Sequence, residues 1–178
     1  MKTGAILLVG GMGTRLLPLT LKTPKPMLQV AGVPFTEHQI RKAAGAGISE
    51  IVLATSYKSE LFEPYFGNGE KFGIKIKYAV EHSALGTGGG IRNAAKLLSN
   101  YDQIVIFNGD VLSGHNLKGQ IEFHQQSKAD VTLYLTQVLD ARPYGCVELQ
   151  GDNQVKSFLE KMENPISNQI NAGCYIFN

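Results

Sequence analysis

The stretch GAILLVGGMGTR, residues 4–15, joins a short apolar run to a cluster of glycines that ends in an arginine. An apolar run of this length, bounded by glycine, is typical of a strand that is buried on both faces of a parallel sheet. The glycines after it disfavour both strand and helix, so the chain is expected to turn there. The stretch therefore predicts a buried first strand whose end opens into a loop.

Strand and helix patterns alternate after this segment. Further strands are predicted at residues 51–54, 74–80, 103–107, 131–138, 145–149, 155–159 and 172–177. Helices are predicted at residues 35–46, 57–66, 91–98 and 116–126. This order predicts an α/β fold in which a mixed, mainly parallel sheet is flanked by helices, with more strand in the second half. The chain has 178 residues, which is the length of one domain.

Two segments are predicted to be loops. Residues 10–34 hold four of the seven prolines, and residues 86–90 are almost all glycine. Long loops inside a compact domain are usually functional. Since ligands of open α/β sheets bind beyond the carboxyl ends of the strands, we expect residues 10–15, 81–90 and 108–110 to meet at one edge of the sheet.

Charge and composition exclude several classes of protein. Seventeen Lys and Arg against fifteen Asp and Glu give a net charge of +2, which is too balanced to predict a nucleic-acid or membrane partner. The apolar runs are far shorter than the roughly 20 residues of a transmembrane helix, and the run after Lys2 is too short for a signal peptide. We therefore expect a cytoplasmic protein. Cys146 and Cys174 match no zinc or redox spacing and are predicted to be reduced core residues.

The segment GGMGTR, residues 10–15, has the composition of a phosphate-binding loop. It is not the dinucleotide fingerprint, because Leu16 stands where the third glycine belongs, and no GKS or GKT of a P-loop follows. Glycines let backbone N–H groups approach phosphate oxygens, while Thr14 and Arg15 can add a hydroxyl and a bidentate guanidinium. The alternative is a plain turn with a solvated arginine.

The segment TPKPM, residues 23–27, places prolines on both sides of Lys25. Because proline fixes the backbone, this arrangement suits a cation that must be held at a defined position. An exposed proline-rich turn with a solvated lysine is the alternative, and the segment alone favours it.

Taken together, residues 10–27, GGMGTRLLPLTLKTPKPM, closely resemble the N-terminal motif of the sugar-nucleotide pyrophosphorylases. These nucleotidyltransferases join a nucleoside triphosphate to a sugar 1-phosphate. The resemblance continues in order through nearly the whole chain, in the segments AGVPFTEHQI, EHSALGTGGGIRNA, FNGDVLS, YGCVEL, FLEK and INAGCYIF. It implies a Rossmann-like nucleotide-diphospho-sugar transferase fold and transfer of a nucleotidyl group with release of pyrophosphate.

The resemblance also implies roles for individual residues. It places Arg15 on the departing pyrophosphate, Lys25 at the α-phosphate and Asp110 on a magnesium ion (Mg2+). It also places the backbone of four residues around the nucleotide: Gly10, Gly11, Gly13 and Thr14. The sugar phosphate is assigned to Gly145, Glu160, Lys161 and Asn171. One departure is Met162, since the family often has proline after the lysine. A sugar 1-phosphate is already an anionic nucleophile, so the attack needs no general base.

Base recognition is assigned to residues 81–88, with Glu81, Gly86 and Thr87 as nucleotide-binding residues. An ionised Glu81 can accept hydrogen bonds from the two neighbouring donors of guanine, which favours GTP. The strings LGTGG and GVPFTEHQI resemble mannose-1-phosphate guanylyltransferases, which implies mannose 1-phosphate as the second substrate. The TGGG run equally resembles uridylyltransferases acting on amino-sugar phosphates and guanylyltransferases acting on heptose phosphate, and these alternatives stay open.

Catalytic domains of this family continue for several tens of residues beyond the position of Asn178 and carry a second magnesium-binding aspartate there. The expectation is therefore a nucleotidyltransferase domain, residues 1–178, without the family's C-terminal part and with Asp110 as its magnesium ligand. Two functions follow: an active guanylyltransferase, or a catalytically impaired domain that binds a nucleotide or a nucleotide sugar. Homo-oligomers formed through an exposed apolar sheet surface are a further expectation.

Overall fold

The strand predicted first lies inside the main sheet of the protein. The computed structural model describes residues 1–81, 83 and 85–178, so His82 and Ala84 of the predicted base-recognition segment lie outside the described residues. In chain order the strands are β1 (Thr3–Leu8), β2 (Gln29–Val30), β3 (Val33–Pro34), β4 (Glu50–Thr55), β5 (Lys75–Val80), β6 (Gln103–Asn108), β7 (Val131–Gln137), β8 (Gly145–Leu149), β9 (Val155–Glu160) and β10 (Gln169–Phe177). The helices are α1 (Phe35–Gly45), α2 (Glu63–Phe66), α3 (Gly86–Ala95) and α4 (Leu117–Ser127).

The main sheet has eight strands, and β1 pairs in parallel with β4 on one side and β6 on the other. β5 continues the parallel half beyond β4. β10 joins the sheet antiparallel to β6 and also pairs with β7 and β8, while β9 pairs with β8. The two short strands β2 and β3 form a separate hairpin. The predicted α/β fold with a mixed sheet flanked by helices is confirmed.

Alternate residues of β1 face two separate hydrophobic cores. Ala5 and Leu7 belong to a cluster with Ile40 of α1, whereas Ile6 belongs to a cluster with Ala94 of α3 and Leu98. Both faces of the strand are therefore covered, as the continuous apolar run predicts. This placement leaves the two ends of β1 as its accessible part.

The predicted loop at residues 86–90 is wrong, because α3 already begins at Gly86. Glycine has a low helix propensity, and tertiary packing overrides it here. A Cβ at Gly90 would collide with the carboxylate of Glu81, and one at Gly89 would lie 2.8 Å from Cβ of Leu85. The glycines thus let the start of the helix pack closely against Glu81 and Leu85.

Two other predicted segments differ in detail. The helix predicted at residues 57–66 is found only in its last part, where α2 follows a 3-10 turn at Ser59–Leu61. The loop predicted at residues 10–34 contains the β2–β3 hairpin and three 3-10 turns, Thr14–Leu16, Leu19–Leu21 and Lys25–Met27.

Cys146 and Cys174 are buried free thiols, as predicted. Burial raises the pKa of the Cys174 thiol to about 12. Within the described residues, no helix combines the length and the apolar character that crossing a bilayer requires.

The carboxyl ends of β1 and β6 are in direct backbone contact. Gly109, the residue after β6, donates its N–H to the carbonyl oxygen of Leu8 at 2.9 Å. A Cβ at Gly109 would collide with that same carbonyl group, so this close approach requires glycine. The loops that follow the two strands therefore leave the sheet side by side.

This contact predicts the effect of Gly109→Ala. The added methyl group must displace the end of β1, so the free energy of unfolding should fall by about 1–3 kcal/mol, as for other overpacked sites. Urea denaturation measures the change. Gly114→Ala is the matched control in the same loop, where a Cβ would meet open space, and it should change stability by less than about 0.5 kcal/mol. Equal effects of the two substitutions would contradict the contact.

Candidate nucleotide and sugar-phosphate site

The glycine-rich loop after β1 folds back onto the segment that carries Lys25. Gly13 has a φ of 64°, and a Cβ there would lie 2.7 Å from Cβ of Lys25. The hydroxyl of Thr20 donates to the carbonyl oxygen of Gly13 at 3.0 Å. At the start of the loop, Ser56 donates its hydroxyl to the carbonyl oxygen of Gly10. The loop is therefore held at both ends.

The middle of the glycine-rich loop is open to solvent. Gly11, Thr14 and Arg15 are exposed, and a Cβ at Gly11 would meet no atom of the described residues within 4 Å. The guanidinium of Arg15 has no hydrogen bond or ion pair with any other described side chain. These groups can accordingly contact an anion without first breaking contacts within the protein.

Lys25 and Asp110 form an ion pair across this edge of the sheet. The Nζ of Lys25 donates to Oδ2 of Asp110 at 2.8 Å, although the two residues are 85 positions apart in the chain. The side chains keep 36% and 52% of their accessible surface, so both remain reachable from solvent. The structure thus brings together two of the three residues predicted to be catalytic. The third, Arg15, lies on the same segment as Lys25, between β1 and β2.

The segment between Arg15 and Lys25 is anchored by a residue that the sequence analysis missed. Lys58 donates its Nζ to the carbonyl oxygens of Leu21 and Lys22, at 2.8 and 3.0 Å. Lys58 lies in the loop after β4 and has a φ of 53°. No local pattern marks it as an anchor, because its partners are 37 and 36 positions away in the chain.

Helix α1 holds the loop that carries Asp110. Gln39 donates its amide N–H groups to the carbonyl oxygens of Asn108 and Val111, at 2.8 Å each. One turn later, Lys42 donates to the carbonyl oxygen of Ser113 at 2.7 Å and contacts Nδ1 of His115 at 3.0 Å. Sequence reasoning missed both α1 residues, because each acts on partners about 70 positions away.

Burial changes the pKa values of Lys42 and of His115, the histidine that Lys42 contacts. It lowers the pKa of Lys42. Burial also lowers the pKa of His115, and the nearby charge of Lys42 lowers it further. His115 is therefore neutral at neutral pH and can accept a hydrogen bond from Lys42.

The residues predicted to hold the sugar phosphate meet through antiparallel strand pairing. Gly145 of β8 lies directly opposite Glu160 of β9, and a Cβ at Gly145 would lie 2.8 Å from Oε1 of Glu160. Cys146 pairs with Ile170, which brings Asn171 of β10 beside the same region. Lys161 follows β9 with a φ of 49° and donates its N–H to the carbonyl oxygen of Tyr144.

Tyr175 connects this region to the loop of Asp110, and the sequence analysis did not single it out. Its phenolic oxygen accepts from Asn171 at 2.7 Å and from Asn108, at the end of β6, at 3.4 Å. The register of β10 shifts between Asn171 and Tyr175, at Gly173, where a Cβ would lie 2.9 Å from the amide nitrogen of Asn108. The irregularity lets β10 pass close to the end of β6.

Glu81 lies where β5 leads into α3. Its N–H donates to the carbonyl oxygen of Thr55, and its carboxylate is the acceptor for the N–H of Leu85, at a long 3.5 Å. The carboxylate therefore lies at the N-terminal end of α3, where its charge is favourable. Gly86 and Thr87, the other predicted base-site residues, are the first two residues of that helix. Guanine recognition by Glu81 stays a prediction.

The residues present fit a magnesium ion that is held mainly by the substrate. No cluster of three or more His, Cys, Asp and Glu side chains suited to a metal occurs in the described part of the chain. Magnesium commonly takes one or two carboxylates and completes its shell with water and phosphate oxygens. The partly exposed carboxylate of Asp110, beside the glycine-rich loop, meets that requirement.

Comparison with known proteins identifies the family of the chain. A model of the nucleotidyl transferase family matches residues 4–178. The chain belongs to this family. The chain is 53% identical over 173 residues to the mannose-1-phosphate guanylyltransferase of Mycobacterium tuberculosis, an alignment that covers 97% of this chain and 48% of that protein. The chain thus spans about half the length of the curated relatives it matches.

Solved structures confirm the fold of the chain. The UDP-glucose pyrophosphorylase of Acinetobacter baumanii superposes with a TM-score of 0.86 at 26% identity, over 99% of this chain and 74% of that one. HddC from Yersinia pseudotuberculosis, solved in complex with GMP-PN, superposes with a TM-score of 0.81 at 29% identity, over 100% of this chain and 77% of that one. The family resemblance seen in the sequence is confirmed.

The exposure of the Lys25–Asp110 pair predicts that it contributes little to stability. Ion pairs open to solvent are worth about 0–1 kcal/mol, so Lys25→Met and Asp110→Asn should each lower the free energy of unfolding by less than about 1 kcal/mol in urea denaturation. Lys77→Met is the contrasting control, because it removes the nearest cation from the nearly buried Glu50. It should cost about 1–3 kcal/mol. A larger loss from Lys25→Met than from Lys77→Met would show that the Lys25–Asp110 pair is structural.

Proposed function

We propose that the chain transfers a nucleotidyl group from a nucleoside triphosphate to a sugar 1-phosphate and releases pyrophosphate, with GTP and mannose 1-phosphate as its substrates. The observation that carries this proposal is the 2.8 Å contact of Lys25 with Asp110 beside the open glycine-rich loop. The 53% identity to a mannose-1-phosphate guanylyltransferase supports the choice of substrates. Residues 1–178 then form a nucleotidyltransferase catalytic domain.

The chemistry needs alignment and charge neutralisation more than proton transfer. A phosphate oxygen of the sugar 1-phosphate attacks the α-phosphorus, and the bond to pyrophosphate breaks. Because the nucleophile is already an anion, no general base is required. Backbone N–H groups of Gly11, Gly13 and Thr14 contact the triphosphate, Arg15 neutralises the departing pyrophosphate, and Lys25 stabilises the charge that develops at the α-phosphate.

Asp110 is the residue that would hold magnesium together with phosphate oxygens. When bound, the ion supplies charge neutralisation on the phosphates. Lys25 occupies Oδ2 of Asp110 in the structure, so the ion pair holds the carboxylate at this edge of the sheet. Lys25 becomes available to the α-phosphate when that pair opens.

On the sugar side, Glu160 and Gly145 contact sugar hydroxyls and Lys161 contacts the sugar phosphate. Asn171 is held in position by Tyr175 and by the N–H of Gly173, at 2.7 and 3.0 Å. A side chain fixed in this way can discriminate between sugars, because it cannot turn to suit a different hydroxyl.

Guanine is proposed as the base because of Glu81 and because HddC, with 29% identity, is solved with GMP-PN. A uridylyltransferase or a heptose-phosphate guanylyltransferase of the same family is the alternative. A catalytically impaired binding domain is the second candidate, because Lys25 already occupies Oδ2 of Asp110, the carboxylate that would hold the metal. A cytoplasmic location, the absence of nucleic-acid and membrane partners, and homo-oligomers stay predictions.

The first test measures pyrophosphate release with Mg2+ and each nucleoside triphosphate in turn, paired with mannose 1-phosphate, glucose 1-phosphate, glucosamine 1-phosphate and a heptose 1-phosphate. We expect release with GTP and mannose 1-phosphate only. Release with another pair would reassign the substrates within the family. No release with any pair, while GTP still raises the melting temperature, would establish the binding domain instead.

Arg15→Ala should lower turnover by two or more orders of magnitude, as expected for loss of a group that stabilises transition-state charge. Affinity for the sugar 1-phosphate should change little, because Arg15 lies on the nucleotide side. The charge-matched control is Lys118→Ala, which lies near Thr3 at the opposite end of β1 and should leave turnover unchanged. Near-normal turnover of Arg15→Ala would remove Arg15 from the mechanism.

A further inference from the structure

Gln39 is a buried polar residue whose partners lie on both sides of Asp110. It is 2% exposed, in the middle of α1. Its amide nitrogen donates to the carbonyl oxygens of Asn108 and Val111, at 2.8 Å each. A single amide group therefore spans the residues that flank Gly109 and Asp110.

The segment bridged by Gln39 is a tight turn. The N–H of Val111 donates to the carbonyl oxygen of Asn108 at 3.2 Å, which closes a four-residue turn with Asp110 at its third position. The direction of the Asp110 side chain follows the orientation of this turn. By holding both end carbonyls, Gln39 fixes the turn relative to α1.

The side-chain oxygen of Gln39 shows what this side chain contributes to the turn. Its oxygen, Oε1, is buried and has no hydrogen-bond partner among the described residues. Leaving a buried acceptor unpaired has a free-energy cost, so an apolar side chain would suit the core better. The amide also cannot be turned over, because its oxygen would then face two carbonyl oxygens. Its contribution lies in the two bonds that it donates to the turn.

We propose that Gln39 is a positioning residue that aims the carboxylate of Asp110 at the metal and nucleotide. This inference rests on the proposed function and adds to it a residue that does not itself touch the substrates. Groups that orient a metal ligand typically change metal affinity by about 10–100-fold when they are removed. Gln39 makes no contact with the proposed substrates, so its effect should appear only through Asp110.

Isothermal titration calorimetry of the full chain with GTP, once with Mg2+ and once with EDTA, tests the inference. The dissociation constant in EDTA divided by the one with Mg2+ gives the factor by which the metal tightens GTP binding. We expect Gln39→Met to reduce this ratio by about tenfold while the dissociation constant in EDTA stays within about twofold. Gln39→Glu keeps the shape but cannot donate to the carbonyls when ionised, so it should have the same effect. Thermal denaturation identifies which variants fold.

Gln103 supplies the matched control at the other end of β6. It is fully buried, donates to the hydroxyl of Thr3, and also has an Oε1 without a partner among the described residues. Gln103→Met therefore removes a similar buried amide far from Asp110 and should leave the metal ratio unchanged. In the Asp110→Asn background, Gln39→Met should cause no further decrease, because the two effects share one carboxylate.

Each remaining outcome overturns the inference. An unchanged ratio in a folded Gln39 variant would remove the positioning role and leave the proposed function intact, since pyrophosphate release by the wild-type chain tests that separately. A wild-type chain that binds GTP equally with and without Mg2+ would remove both the metal role of Asp110 and the role of Gln39. Equal decreases in Gln39→Met and Gln103→Met, or failure of both Gln39 variants to fold, would show a structural role only.

Discussion

The close approach of Gly109 to the carbonyl oxygen of Leu8 determines where everything else in the site can lie. β1 and β6 are neighbours in a parallel sheet, so their carboxyl ends already point in one direction. The backbone contact also brings the two loops within reach of each other. A lysine after β1 and an aspartate after β6 can then form an ion pair, even though nothing in the local sequence connects them.

The antiparallel half of the sheet extends this edge toward the residues that we propose for the sugar phosphate. β10 runs against β6, and its irregularity at Gly173 brings Tyr175 and Asn171 to the end of that strand. The side-chain amides of Asn108 and Asn171 share the phenolic oxygen of Tyr175, which gives a continuous polar path between the end of β6 and β10. Since β6 pairs with both β1 and β10, the separation of these two groups of residues is set by the sheet and not by flexible loops.

Hydrophobic periodicity was sufficient to predict most of the sheet and the helices α1 and α4, because those elements bury a continuous apolar run or an apolar stripe. It failed at α3, because the low helix propensity of glycine predicts a loop there, whereas the glycines allow close packing of a helix. The resemblance named Lys25 and Asp110, but their contact depends on residues 85 positions apart. Gln39, Lys42, Lys58 and Tyr175 could not be found at all, because each is recognisable only by a distant backbone or side-chain partner.

The glycines at the start of α3 have a dynamic consequence. Glycine is less favourable than alanine inside a helix by about 1 kcal/mol per residue, so these turns are held by packing against Glu81 and Leu85 and not by intrinsic propensity. Amide protons in the first half of α3 should therefore exchange with solvent by local opening, independently of the sheet. A base bound beside Glu81 would contact a segment whose helical order depends on this packing, so binding would also stabilise the first turns of α3.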